Sequence, residues 1–126
     1  MVLIDTLNLM TFLKATNRVL NENGKFLFTI THPCFWPRYW GYEQERWYEY
    51  NEEMIVESEF KISLEVATGH KATHIHRPIS KYINALEEAG FKILKLAEPV
   101  PSENDQKKYP VTWSFPRFLA GICEKS

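Results

Sequence analysis

The sequence has few cysteines, few glycines and no surplus of either charge. Its 126 residues include only two cysteines, Cys34 and Cys123. That number does not make a disulfide framework, so we expect a cytoplasmic protein. Fifteen Lys and Arg against 16 Asp and Glu argue against a nucleic-acid partner, because dedicated nucleic-acid binders carry a basic surplus. No apolar run is long enough for a transmembrane helix and no signal-peptide pattern opens the chain, so we expect no membrane partner.

Aromatic side chains are concentrated in one segment. The chain has 8 Phe, 6 Tyr and 4 Trp residues, and eight of these aromatic residues lie between Phe35 and Tyr50. Pro33, Pro37 and Gly41 interrupt this part of the chain, so the sequence assigns no regular element to residues 33–53. The rings could wall a pocket that stacks a flat substrate or cages a cation, or they could be ordinary lid and core packing. The sequence leaves both interpretations open.

The first third of the chain predicts a helix followed by a buried strand. Asp5 is a plausible N-cap, and apolar residues then recur at the spacing of one helical face up to Leu20. Asn23-Gly24 is expected to end the helix, with Gly24 in the left-handed conformation. Residues 25–31 are almost continuously apolar and β-prone, which predicts a strand covered on both faces.

The remainder predicts a hairpin, a second helix and two strands. Residues 54–66 look extended, and Thr68-Gly69 is a turn signal before a returning arm from His70 to Arg77. Ser80 can cap the second helix, which Gly90 ends. Strands follow at 91–96 and 117–124. This order predicts a mixed α/β domain whose first strand is too apolar for a sheet edge, so the chain is expected to be part of a fold.

Several of these stretches together resemble one enzyme family. They are Arg18-Val19-Leu20 through Gly24-Lys25-Phe26, His32-Pro33-Cys34-Phe35, Arg77-Pro78-Ile79-Ser80 and Ala89-Gly90-Phe91. In this order they resemble the C-terminal half of class I S-adenosylmethionine-dependent methyltransferases of the small-molecule type.

The resemblance implies a partial Rossmann-like sheet made of the family's strands five, seven and six, with the last strand antiparallel. Residues 1–126 would be the C-terminal part of one methyltransferase domain. Within it, residues 1–32 would carry a helix and strand five, 33–77 a substrate-side insertion with a β-hairpin and aromatic lid, and 78–126 a helix with strands six and seven.

The resemblance also implies S-adenosylmethionine as cofactor and a small-molecule methyl acceptor. Met1, Val2 and Leu3 would follow strand four and touch the cofactor. The family's glycine-rich cofactor loop has no counterpart, because no two of the five glycines are closely spaced. We therefore expect this chain to be inactive alone.

Candidate site residues follow from the same resemblance. His32, at the exit of strand five, would be the catalytic base or orienting residue, because imidazole exchanges protons near neutral pH; alternatively it only shapes the strand exit. Arg77 could bind a substrate carboxylate, or form a salt bridge with Glu98 or another acid. The full predicted substrate-binding set is Phe35, Trp36, Tyr39, Trp40, Tyr48, Tyr50, His76 and Arg77.

Two other chemistries are disfavoured by the residue pattern. Cys34 has no clear base partner for nucleophilic catalysis. His74 and His76 would share one strand face, but no spaced cysteine pair or His-Glu-x-x-His accompanies them, so we expect no metal site.

A second hypothesis treats the chain as a non-catalytic interaction module derived from a methyltransferase. A strand at 26–31 without its usual neighbour should seek a partner. We therefore expect a homodimer, joined through that strand or the helix beside it.

Overall fold

The computed structural model describes residues 2–60 and 69–126. A 3-10 turn at Val2–Ile4 precedes helix α1 at Leu9–Val19, strand β1 at Lys25–Thr31 and short helix α2 at Trp36–Trp40. Strands β2 (Met54–Glu59) and β3 (Lys71–His76) follow. Helix α3 (Ile79–Glu88), strand β4 (Phe91–Ala97), short helix α4 (Glu103–Gln106) and strand β5 (Phe118–Lys125) complete the order. None of these helices is long and apolar enough to cross a membrane.

The main sheet has three strands in the order β1-β5-β4. The last strand lies between the other two and runs antiparallel to both, as the family resemblance implies. In the register, Phe28 faces Gly121 and Ile30 faces Leu119. Because β1 and β4 both oppose β5, they are parallel to each other in direction, and their carboxyl ends lie at the same edge of the sheet.

The hairpin is a separate two-stranded sheet. β2 and β3 pair antiparallel, with Val56 opposite His74 and Met54 opposite His76. This confirms the predicted returning arm; the extension of the first arm through residues 61–66 and the turn residue Thr68 lie outside the described residues.

Two apolar clusters hold these layers together. The larger one joins one face of the main sheet to α1 and α3 through Leu13, Ile30, Leu86 and Phe91. The smaller, which we call the hairpin core, consists of Trp36, Trp40, Tyr42 and Val56. The chain therefore packs one helical layer on its sheet and a second core under the inserted hairpin.

The start of the chain corrects one prediction. Asp5 does not cap α1; the cap is Asn8, whose side chain accepts a hydrogen bond from the Thr11 amide at 2.9 Å. The reason is that the guanidinium of Arg77 binds the carbonyls of Leu3, Thr6 and Leu7, which holds this segment out of the helix.

Two further local predictions are wrong. Asn23 takes the left-handed conformation (φ 59°), whereas Gly24 is needed for space, since a Cβ there would lie 2.7 Å from the Asn21 carbonyl oxygen. Ser80 does not cap α3, whose first residue is Ile79. Gly90 does adopt the predicted left-handed conformation, with φ 86°.

Strand β1 is covered on one face, and on the other face only at its last residue, Thr31. Phe28 and Ile30 are buried, but Leu27 is 66% exposed and Thr29 is also exposed. The prediction of a strand covered on both faces is therefore wrong at Leu27 and Thr29.

Candidate functional site

The candidate site lies where β1 and β4 end and β5 begins. His32 directly follows β1, Glu98 directly follows β4 and Arg117 directly precedes β5. The backbone N–H of His32 donates to the carbonyl of Arg117 at 2.8 Å, which extends the sheet pairing into the site. We call His32, Phe35, Glu98, Phe115 and Arg117 the strand-end site.

His32 is buried and uses both ring nitrogens. Its Nδ1 accepts a hydrogen bond from the Cys34 amide at 3.1 Å, and its Nε2 lies 2.5 Å from Glu98 Oε1. Because Nδ1 accepts, the hydrogen-bond network assigns the ring proton to Nε2, which donates to Glu98. This arrangement favours the orienting interpretation of His32 over that of a free base.

Aromatic rings continue the site away from the strands. The rings of His32 and Phe35 are 4.7 Å apart, and Phe35 stacks on Phe115 at 5.6 Å. The guanidinium carbon of Arg38 lies 5.5 Å from the Phe115 centroid. Of the predicted substrate-binding rings, Phe35 is the one that the structure brings beside His32.

Arg117 is buried between two rings. Its guanidinium carbon lies 4.1 Å from the Tyr39 centroid and 4.2 Å from that of Trp113. Burial lowers the pKa of Arg117 from its usual value. This places Tyr39, a predicted substrate-binding residue, against a cation of its own chain.

The tryptophans of the predicted pocket belong to the hairpin core. Trp36 and Trp40 are each 7% exposed and pack on each other at 5.6 Å between ring centroids. Tyr48 packs edge-on against Tyr42 at the rim of the same cluster. These contacts favour the packing alternative for the three residues.

The two histidines of β3 are buried beside this cluster. His74 Nε2 lies 2.9 Å from the Tyr42 hydroxyl, and burial lowers the pKa of His74 to about 4. His76 Nε2 lies 2.9 Å from the Tyr50 carbonyl oxygen, and burial lowers its pKa too. In the described ranges, no three His, Cys, Asp or Glu residues are grouped so as to hold a metal.

Tyr50 connects the insertion to α3. Its hydroxyl oxygen accepts a hydrogen bond, at 3.1 Å, from the backbone N–H of Ile79, which is the first residue of that helix. The Cys34 sulfur lies 3.6 Å from the same hydroxyl oxygen. The hydroxyl takes the place of the cap that the sequence assigns to Ser80. Tyr50 thus has a structural function at this position.

Arg77 is enclosed, with no exposed side-chain surface. Its Nε donates to Glu53 Oε2 at 2.9 Å, and its terminal nitrogens donate to the carbonyls described above. The salt-bridge alternative therefore describes this structure better than a substrate contact, with Glu53 as partner. Glu98 instead pairs with His32.

Of the predicted cofactor residues, the structure describes Val2 and Leu3. Met1 lies outside the described residues, and Val2 is exposed. Leu3 is buried in the main core, and its carbonyl accepts from Arg77. The residues present therefore do not fit S-adenosylmethionine as a complete site.

Sequence reasoning missed much of the strand-end site. Arg117, Trp113 and Phe115 precede β5, and Glu98 entered only as a partner for Arg77. The available signal was the topology of the main sheet. Residues that follow its two parallel strands lie at the same sheet edge as residues that precede the antiparallel strand between them.

The chain is similar in structure to known proteins. No protein-family model matches the sequence, and no curated protein matches it. A solved structure from Listeria monocytogenes, assigned as an S-adenosylmethionine-dependent methyltransferase, aligns with this chain at a TM-score of 0.69 and 23% sequence identity. The alignment covers 98% of this chain and 57% of the Listeria chain. One from Mesorhizobium loti matches 99% over 58%, with TM-score 0.61 and 14% identity. One from Clostridium acetobutylicum matches 94% over 51%, with TM-score 0.54 and 15% identity.

The fold is that of part of a methyltransferase domain. All three relatives are named as methyltransferases that depend on S-adenosylmethionine, and the chain spans somewhat more than half the length of each. The predicted resemblance to part of such a domain is thereby confirmed at the level of the fold.

Proposed function

We propose that this chain is the C-terminal part of an S-adenosylmethionine-dependent methyltransferase that acts on a small molecule. The observation that carries the proposal is the fold match, which includes 98% of the chain. The strand-end site supports it, because ligands of open α/β sheets bind beyond the carboxyl ends of the strands. His32 and Glu98 come from two such ends.

The small-molecule part of the proposal rests on the insertion. Residues 33–60 place Phe35 and Tyr39 beside the strand ends, so aromatic rings line part of the site. A net charge of −1 also disfavours a nucleic-acid acceptor.

We further propose that the chain has no activity alone, because its residues supply too little of a cofactor site. Isothermal titration calorimetry with S-adenosylmethionine tests this: the 126-residue chain should show no sub-millimolar binding. Such binding would contradict the proposal.

The enzymatic proposal has its own test. If the gene continues upstream of Met1 into a glycine-rich stretch of the G-x-G-x-G type, the extended chain should bind S-adenosylmethionine and transfer its labelled methyl group to a small molecule. An extended chain that binds the cofactor but methylates nothing in a small-molecule extract would overturn the enzymatic proposal.

A second candidate function is an interaction module that forms a homodimer through β1. The observation that favours it is the contrast between the two outer strands. β4 carries Lys92 and Lys95 within its length, charges typical of protected edges. β1 has no charged residue after Lys25, and its Leu27 is 66% exposed.

A further inference from the structure

The Glu98–His32 pair differs from the other ion pairs of the described residues. In five of the six pairs, a lysine or arginine lies against the carboxylate and neutralises it. In the sixth, the partner of Glu98 is an imidazole. This partner is a cation only when the imidazole carries a second proton.

The hydrogen bonds of His32 make this imidazole a neutral donor. Its Nδ1 holds a lone pair toward the Cys34 N–H, at 3.1 Å, and its single proton is on Nε2, toward Glu98. A second proton on Nδ1 would break the bond from Cys34. The Glu98 carboxylate therefore accepts a hydrogen bond from an uncharged donor.

Glu98 is also the accessible member of the pair. Its side chain is 54% exposed, whereas that of His32 is 2% exposed. The buried imidazole fixes one carboxylate oxygen at 2.5 Å, so the carboxylate is oriented while it still faces solvent.

Within residues 2–60 and 69–126, the ion-pair partner of Glu98 is His32 and not a lysine or arginine. Arg38 pairs with Glu43 at 3.1 Å, and Arg117 is enclosed between Tyr39 and Trp113. Arg38 also lies over Phe115, so a face of this ring already holds a cation of the chain itself.

We propose that Glu98, oriented by His32, binds the ammonium group of a cationic ligand, with the rings of Phe35 and Phe115 against its apolar substituent. A charged carboxylate and aromatic faces are the two groups that recognise substituted ammonium ions. If the proposed function holds, this ligand is the methyl acceptor, which makes the acceptor an amine; its ammonium nitrogen then first releases a proton to the Glu98 carboxylate, because a protonated nitrogen has no lone pair for a methyl group.

The test is an NMR titration of the chain with benzylamine, which is an ammonium ion at neutral pH, and with benzyl alcohol, its neutral counterpart. Benzylamine should shift the Glu98 amide and His32 imidazole signals saturably, and benzyl alcohol should bind at least tenfold more weakly. Equal binding of the two probes would overturn the proposal without any variant.

Variants locate the site. Glu98→Gln keeps the shape of the side chain and should weaken benzylamine binding about tenfold. Glu57→Gln is the matched control, because Glu57 is similarly exposed (58%) and ion-paired but lies on the hairpin; it should change nothing. Unchanged binding by Glu98→Gln would also overturn the proposal. Neither readout needs S-adenosylmethionine, so failure here is distinct from failure of the methyltransferase proposal.

Discussion

The ring of Phe28 lies directly against Gly121 across the β1–β5 pair. A Cβ built on Gly121 would come within 2.4 Å of two ring atoms of Phe28 and 3.1 Å of Leu96. The absence of a side chain at the middle of the central strand therefore lets a phenylalanine of the neighbouring strand lie flat on it.

We predict that Gly121→Ala destabilises the chain by about 2 kcal/mol, since a well-packed core must shift to admit the methyl group. Urea denaturation gives the change in the free energy of unfolding. Ala120→Ser, on the opposite face of the same strand, is the control and should cost less than about 0.5 kcal/mol. Combining Gly121→Ala with Phe28→Leu should recover part of the loss; a strictly additive result would contradict the contact.

Arg77 holds the N-terminal segment, the hairpin and the start of α3 together. Arg77→Met removes four hydrogen bonds and leaves Glu53 and buried carbonyls without their donor. We expect a loss of about 3 kcal/mol in urea denaturation. Arg38→Met removes an ion-paired arginine that is 57% exposed and should cost less than about 1 kcal/mol. Similar losses for the two variants would show that Arg77 is not structural.

The Tyr50 hydroxyl supplies the cap of α3. Tyr50→Phe should cost about 1 kcal/mol, as the loss of a side-chain cap does. It should also accelerate hydrogen exchange at the Ile79 amide, whose acceptor is removed. Tyr48→Phe removes a hydroxyl from the same aromatic region and is the control. If both variants leave Ile79 exchange unchanged, the capping role is refuted.

The regular elements are predictable because their signals are local. The turn signal at Thr68-Gly69 predicted the returning arm that is β3, and continuous apolarity predicted β1, even though Leu27 and Thr29 on its outer face are exposed. Gly90 ends α3 with the expected left-handed conformation because that requirement involves only the backbone of the turn. Fold-level resemblance then supplied the central, antiparallel position of the last strand.

The site is less predictable because partners are chosen across the chain. His32 and Glu98 are 66 residues apart, and Arg77 reaches Leu3 over 74 residues. From the sequence alone, Arg77 and Glu98 each had several possible ion-pair partners. The parallel direction of β1 and β4 places Glu98 beside His32. Arg77 pairs with Glu53 instead.

Burial of His74 makes the stability of the hairpin region depend on pH. Its pKa falls from 6.5 to about 4 on folding, so the unfolded chain binds the extra proton between these values. The free energy of unfolding is therefore highest above pH 6.5 and falls by up to about 3 kcal/mol as the pH falls toward 4. Urea denaturation across this range measures it. His74→Asn should flatten the dependence and His70→Asn, at an exposed position, should not; equal slopes would contradict the assignment.

The exposed edge of β1 is expected to join two copies of the chain. An antiparallel pair centred on Phe28 would place Leu27 of one copy opposite Thr29 of the other, with no like charges facing. Light scattering at high concentration should then give the mass of a dimer. Leu27→Lys places a charge on the edge strand, as protected edges do, and should yield monomers. Leu94→Lys is the matched control on β4, at a site 43% exposed, and should leave the dimer intact. A monodisperse monomer of the unaltered chain would refute the dimer.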